Sequence, residues 1–191
     1  MELLKERIRK DGIIIEDRIL KVDNFLNHQL DVELFSEMGK EWKRRFKGKN
    51  INKIVTVESS GIAIACITAQ HFGNIPVVFA KKQKPNSMDG ELFEARVYSF
   101  TKEQECYIKI SKNYLNEDDC VLIIDDFLAS GSAVAGMIDI CKQANCTIAG
   151  VGIVIEKKFQ GGRELVLSQG IQLESLAILE GLKNGEVIFS K

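Results

Sequence analysis

An α/β fold, with a parallel sheet flanked by helices and one inserted antiparallel hairpin, is what three features of this sequence predict. First, four short β-rich apolar runs occur: Lys53 to Val57, Ile75 to Ala80, Val121 to Ile124 and Ile148 to Ile155. Their apolar residues are continuous rather than alternating, the pattern of strands covered on both faces. Second, helical patterns fall between them, at Ile62 to Phe72 and Ala133 to Ala144. Third, Ala95 to Phe100 and Cys106 to Ile110 are joined by the polar stretch Thr101 to Glu105, which reads as a hairpin set between two strands.

From the start of the chain, Glu2 to Lys10 reads as a short helix, and Ile13 to Asn27 is only weakly patterned. A second helix is expected from about Asp31, where the aspartate is placed to cap it. Leu34, Met38, Trp42 and Phe46 then recur four apart on one stripe, which is core packing. Gly150 and Gly152 lie within the last strand run and lack the third glycine of a dinucleotide fingerprint, so they mark close packing. Only Pro76 and Pro85 interrupt the chain, and no repeat or linker tract divides it, so residues 1–191 are expected to form a single domain.

Composition narrows the function. With 45% apolar residues in 191, the chain has enough core to fold without a disulfide or a structural metal. The 5 cysteines are odd in number and have no CxxC spacing, which fits thiols in a reducing cytoplasm. Lys plus Arg total 26 against 27 acids, a net charge of −1, so neither nucleic acid nor an anionic membrane is attracted generally. Any bound anion must be caught locally. No apolar run is long enough to span a bilayer, and the charged start is unlike a secretion signal.

In open α/β sheets ligands collect at the carboxyl ends of the strands. There, Val121 to Ala133 runs from a buried strand into Asp125 and Asp126, then through a small-residue loop into a helix near Ser132. Ala129, Ser130, Gly131, Ser132 and Ala133 let backbone N–H groups and hydroxyls wrap a phosphate, and the helix N-terminus favours its charge. The two carboxylates are placed to accept hydrogen bonds from the hydroxyls of a ribose. The plainer alternative, an Asp and a Ser capping the helix, leaves two consecutive acids at the end of a buried strand unexplained.

VLIIDDFLASGSA resembles the phosphoribosyl diphosphate-binding motif of type I phosphoribosyltransferases. Together with LKVDNFLNHQLD, ESSGIA, VVFAKKQK, VYSFTK and GIVIEKKFQGGR, in that order along nearly the whole chain, it is similar to the bacterial xanthine branch of that family. One departure is Ser130, Gly131 and Ser132, where that branch often carries Asn-Gly-Gln; the side-chain donors change and the small-residue cradle stays. The resemblance implies the type I phosphoribosyltransferase fold, with residues 1–50 and 156–191 contributing a base-binding hood. It also implies xanthine and 5-phospho-α-D-ribose 1-diphosphate as substrates, Mg²⁺ held mainly by substrate oxygens rather than by a protein metal site, and a homodimer. Asp125 and Asp126 would be the catalytic pair, and Leu20, Asn27 and Lys157 would contact the base.

Other segments have readings of their own. Glu58, Ser59, Ser60 and Gly61 form a second strand-to-helix turn suited to a diphosphate, although alone such a turn is most often a cap. Lys81, Lys82 and Lys84 follow a strand beside Pro85, Asn86 and Ser87, where one or two lysines would neutralise the leaving diphosphate and exclude water. Lys157, at the end of the last long strand, offers an ammonium to a ring carbonyl and so disfavours the exocyclic amine of adenine. Phe159, two residues on, either stacks on the purine or packs. Guanine or hypoxanthine as the base, and a phosphoribosyl diphosphate-sensing transcription regulator, stand as alternatives; the first 50 residues show no basic helix-turn-helix for the latter.

Overall fold

The computed structural model describes residues 1–82, 90–99 and 104–190. Lys84, the Pro85 to Ser87 loop and the stretch linking the hairpin's strands, 100–103, lie outside them. Helix α1 (Glu2–Asp11) opens the chain as expected, but the weakly patterned stretch folds into a small hairpin, β1 (Ile13–Ile15) with β2 (Ile19–Lys21), and a single wide turn of helix at Asp23–Asn27. Asp31 caps α2 (Val32–Arg45), its carboxylate accepting from the Leu34 N–H at 3.0 Å. The aromatic stripe is buried, and it meets the glycines of a neighbouring strand. A Cβ on Gly150 would lie 2.4 Å from the Phe46 ring, and one on Gly152 would lie 2.9 Å from Trp42 Nε1. Those two glycines are what lets the helix sit so close.

The central sheet contains β3 (Lys53–Val57), β4 (Val77–Ala80), β7 (Cys120–Leu128), β8 (Thr147–Lys157), β9 (Leu173–Lys183) and β10 (Glu186–Phe189). Their spatial order is β10-β9-β8-β7-β3-β4, parallel throughout except for β10. Helices α3 (Ser60–His71) and α4 (Ser132–Gln143) lie in separate apolar clusters, so both faces are covered. The hairpin is β5 (Leu92–Ser99) with β6 (Gln104–Ser111), joined to the edge of β4 by paired backbone bonds between Lys81 and Lys109. One of its faces, with Ala95, Val97, Ile108 and Ile110, is buried in the cluster that holds α4; the other carries exposed Tyr98 and Tyr107. The inward face is therefore covered within the chain itself.

Two elements change the expected picture of the chain ends. Residues 156–191 include β9 and β10, so this segment widens the main sheet as well as folding back on α1, where the Met1 amine just before the helix donates to the Leu176 carbonyl of β9. Strand β7 also runs to Leu128, four residues past the apolar run, and carries both aspartates within the strand.

Candidate active site

Because β3, β4, β7 and β8 are parallel, the segments after them emerge on one edge of the sheet. The chain order reverses between β3 and β7, since β4 lies outward on one side while β8 and β9 lie on the other. A crevice opens at such a reversal. Here it is a cavity of about 290 Å³, lined by Glu58, Ser59, Ser60, Gly61, Lys82, Asp125, Asp126 and Ala133, with Val57, Phe127 and the hairpin residues Val97, Tyr98 and Cys106. Eight residues singled out from sequence thus line one cavity.

Asp125 is more enclosed than a ligand-facing carboxylate was expected to be, at 5% exposure. Its Oδ1 accepts from the Asp126 N–H at 3.0 Å, and Asp126 Oδ1 accepts from the Phe127 N–H at 2.9 Å. Burial first, and the adjacent Asp126 charge second, push the Asp125 carboxyl well above its usual range, against the milder pull of Lys82. In the turn after β3, Glu58 accepts from the Lys82 N–H at 2.5 Å, which ties the two cavity walls together. Ser59 stands at the N-cap of α3 with no side-chain capping bond, so the turn is not occupied by the cap that its sequence suggested.

The loop of Ala129, Ser130 and Gly131 leads into α4, whose N-cap Gly131 has φ of +86°, a left-handed conformation that favours glycine. No side chain caps this helix either, which leaves its N-terminal end open to an anion. The Ser132 hydroxyl accepts from the Tyr98 N–H at 2.7 Å, so its own proton remains to donate elsewhere. Lys157 ends β8 with its Nζ 5.7 Å from the centre of the Phe127 ring; burial lowers its pKa, and no carboxylate pairs with it among the described residues.

Four expectations fall elsewhere. Lys81 points away from Lys82, as alternation along an extended chain requires, and lines a second cavity of about 590 Å³ with Phe79 and Tyr114. Leu20 is 6% exposed within the apolar cluster under α2, offering little surface to a ligand. Asn27 is exposed at the end of the wide helical turn, and Phe159 is 49% exposed. Sequence reading missed Phe127, whose ring borders both the aspartates and Lys157; the signal was its place between Asp126 and an apolar Leu128 at a strand end.

A family model described as a phosphoribosyl transferase domain matches residues 22–166. Among curated proteins, a xanthine phosphoribosyltransferase of Clostridium tetani is 59% identical over 189 residues, covering 99% of this chain and 100% of that protein. Another, from Bifidobacterium adolescentis, is 52% identical over 191 residues, covering 99% of each. Among solved structures, an adenine phosphoribosyltransferase from Giardia lamblia, complexed with 9-deazaadenine, superposes with a TM-score of 0.76 at 22% identity, covering 92% of this chain and 96% of that one. One from Thermoanaerobacter pseudethanolicus gives 0.72 at 19% identity, covering 92% and 98%. At these identities the two structures speak to the fold.

Proposed function

The chain belongs to the phosphoribosyl transferase family, and we propose that within it the protein is a purine-salvage enzyme joining N9 of xanthine to C1 of the ribose of 5-phospho-α-D-ribose 1-diphosphate, with release of diphosphate. The observation that carries this reading is the shared crevice: two uncapped helix ends and an aspartate pair meet in or beside it, and an unpaired ammonium borders it through Phe127. Two anionic groups and a sugar between them are what such a set accepts.

The difficult step is departure of diphosphate, which leaves cationic character on the sugar. Asp125 and Asp126 hold the ribose hydroxyls and supply negative potential beneath that centre. The loop from Ala129 to Ala133 fixes the 5′-phosphate, and the Glu58 to Gly61 turn with Lys82 receives the diphosphate. Lys81 faces the other cavity and not this crevice, so it would serve the diphosphate only in a homodimer in which Lys81 nears the partner's site. The donor set fits Mg²⁺ bound together with the diphosphate, since the hard carboxylates Asp125 and Asp126 line the crevice. When bound, the ion supplies neutralisation of the leaving charge.

For the base, Lys157 donates to an oxopurine carbonyl, and Phe127 offers an apolar face beside it. Adenine presents a donor where that carbonyl would lie. Asn27 and Leu20 come from residues 1–50, which with residues 156–191 would form a hood over the base. Asn27 can turn its amide to either a carbonyl or an amine, so the preference for xanthine over guanine and hypoxanthine rests mainly on the relatives. We place the enzyme in the cytoplasm; no helix among the described residues is long and apolar enough to cross a membrane. A spectrophotometric assay of xanthine, guanine, hypoxanthine and adenine with donor and Mg²⁺ tests this. Xanthine should be used fastest and adenine hardly at all; equal turnover of adenine would refute the base assignment.

A further inference from the structure

Glu156 is the most completely buried charged side chain among the described residues, 0% exposed, and neither aspartate of the crevice contacts it in any described hydrogen bond. An enclosed carboxylate is costly unless its lone pairs are filled. Here they are. Arg163 grips it with both arms of its guanidinium, Nε to Oε1 at 2.6 Å and a terminal nitrogen to Oε2 at 2.7 Å, and the Ser175 hydroxyl donates to Oε2 at 2.5 Å. This two-point fork fixes orientation as well as distance, which a point charge or an apolar contact does not.

What the fork holds in place is the start of the short helix α5 (Gly162–Leu167). One residue before Arg163, the Gly162 N–H donates to the Ala129 carbonyl at 3.0 Å. The packing is close: a Cβ on Gly162 would lie 2.5 Å from that carbonyl oxygen, and a Cβ on Gly131 would lie 3.1 Å from the Gly162 Cα. The turn carrying Gly162 is therefore the back wall of the loop from Ala129 to Gly131. That loop is built of small residues around a left-handed glycine, so it has little side-chain packing of its own to set its position.

We infer that Glu156, Arg163 and Ser175 are positioning residues for donor binding: the fork presses the Gly162 turn against the Ala129 to Gly131 loop and so sets the loop where the 5′-phosphate is gripped. The inference rests on the phosphate-loop reading given above. Glu156 and Arg163 touch no substrate in this scheme; they act through the loop. Folding alone does not require an ion pair here, because well-packed apolar residues of similar volume serve a buried site as well or better.

Arg163→Met leaves Glu156 buried and unpaired, so it should lower thermal stability as well as donor binding. Combining it with Glu156→Gln removes the stranded charge and should restore most of the stability without restoring the fork. The expected signature is a donor KM raised about 10- to 100-fold in both variants, the range for a small displacement of a binding group. The xanthine KM and kcat should stay within a few-fold of wild type. Arg163→Lys, which keeps the charge but cannot fork, should fall between. A double variant with restored stability and wild-type donor KM would overturn the inference, as would a rise confined to the xanthine KM. Gly131→Val, which disturbs the loop directly, separates the two levels of reasoning. If it raises the donor KM and the Arg163 variants do not, only this inference fails; if none of them does, the phosphate-loop reading fails with it.

Discussion

Replacing Asp125 by asparagine should make the protein more stable at neutral pH while nearly abolishing its turnover. The side chain is 5% exposed, and burial together with Asp126 raises its pKa well above the usual 3.8. The folded state therefore holds a proton on Asp125 that the unfolded state releases as the pH climbs past about 4. Between the unfolded and the folded pKa the native chain binds more protons, so this group's contribution to stability falls as pH rises and is at its least favourable above the folded pKa. Each unit of elevation costs about 1.4 kcal/mol once both states are ionised. Asparagine is close in shape, carries no charge to desolvate, and keeps an Oδ1 to accept the Asp126 N–H. The variant's Tm should therefore exceed that of wild type at pH 8, each kcal/mol gained being worth roughly 2–4 °C for a domain of this size. Thermal unfolding of wild type and variant at pH 8 and pH 4 reads this directly, since the gain should shrink toward zero at the lower pH. In the same samples kcat/KM should fall by about 10²-fold, the usual loss when a preorganised contact to developing charge is removed. A variant that is no more stable than wild type at pH 8, or whose gain is the same at both pH values, would refute the burial argument. Near-normal turnover would refute the assignment to the ribose.

Three further outcomes are expected. Lys157→Gln should raise the xanthine KM and narrow the gap to adenine while leaving donor affinity, measured by calorimetry, nearly unchanged; a selective loss of donor affinity would move Lys157 to the other substrate. Asp31→Ala removes the α2 cap and an ion pair with Arg7, and should cost about 1 kcal/mol, seen as a Tm lower by about 2–4 °C with activity retained. Light scattering at micromolar concentration should give a homodimer, and a fully active monomer would exclude the proposed reach of the Lys81 region into a partner's site.

Much of the fold was legible in the sequence because its signals are local. Continuous apolar runs marked β3, β4, β7 and β8, an Asp before a four-residue stripe marked α2, and Gly150 and Gly152 marked a close approach, whose partners, Phe46 and Trp42, the structure supplied. The runs at Ile13 and Ile19 were too short, and their outward residues too exposed, to declare a hairpin. Strand β9 ends in charged and half-exposed residues and escaped notice. In the crevice, the motif residues after β3 and β7 were found because each lies beside its strand in the chain. The alternation that turns Lys82 inward and Lys81 away was available from spacing alone but depended on knowing where β4 stops.

By itself, then, the sequence determined the sheet strands β3, β4, β7 and β8, the helices α1 to α4, and which strand ends carry acids, small residues and lysines, since these follow from side-chain type and period along a few residues. Only the tertiary structure decided that Asp125 is enclosed, that Phe127 stands beside Lys157, and that Glu156 meets both Arg163 and Ser175. Those facts depend on which strands lie side by side and on how closely the turns between them pack. Chain-local patterns carry no record of either, because a buried charge and its partner are selected by distance in space and not by separation along the chain.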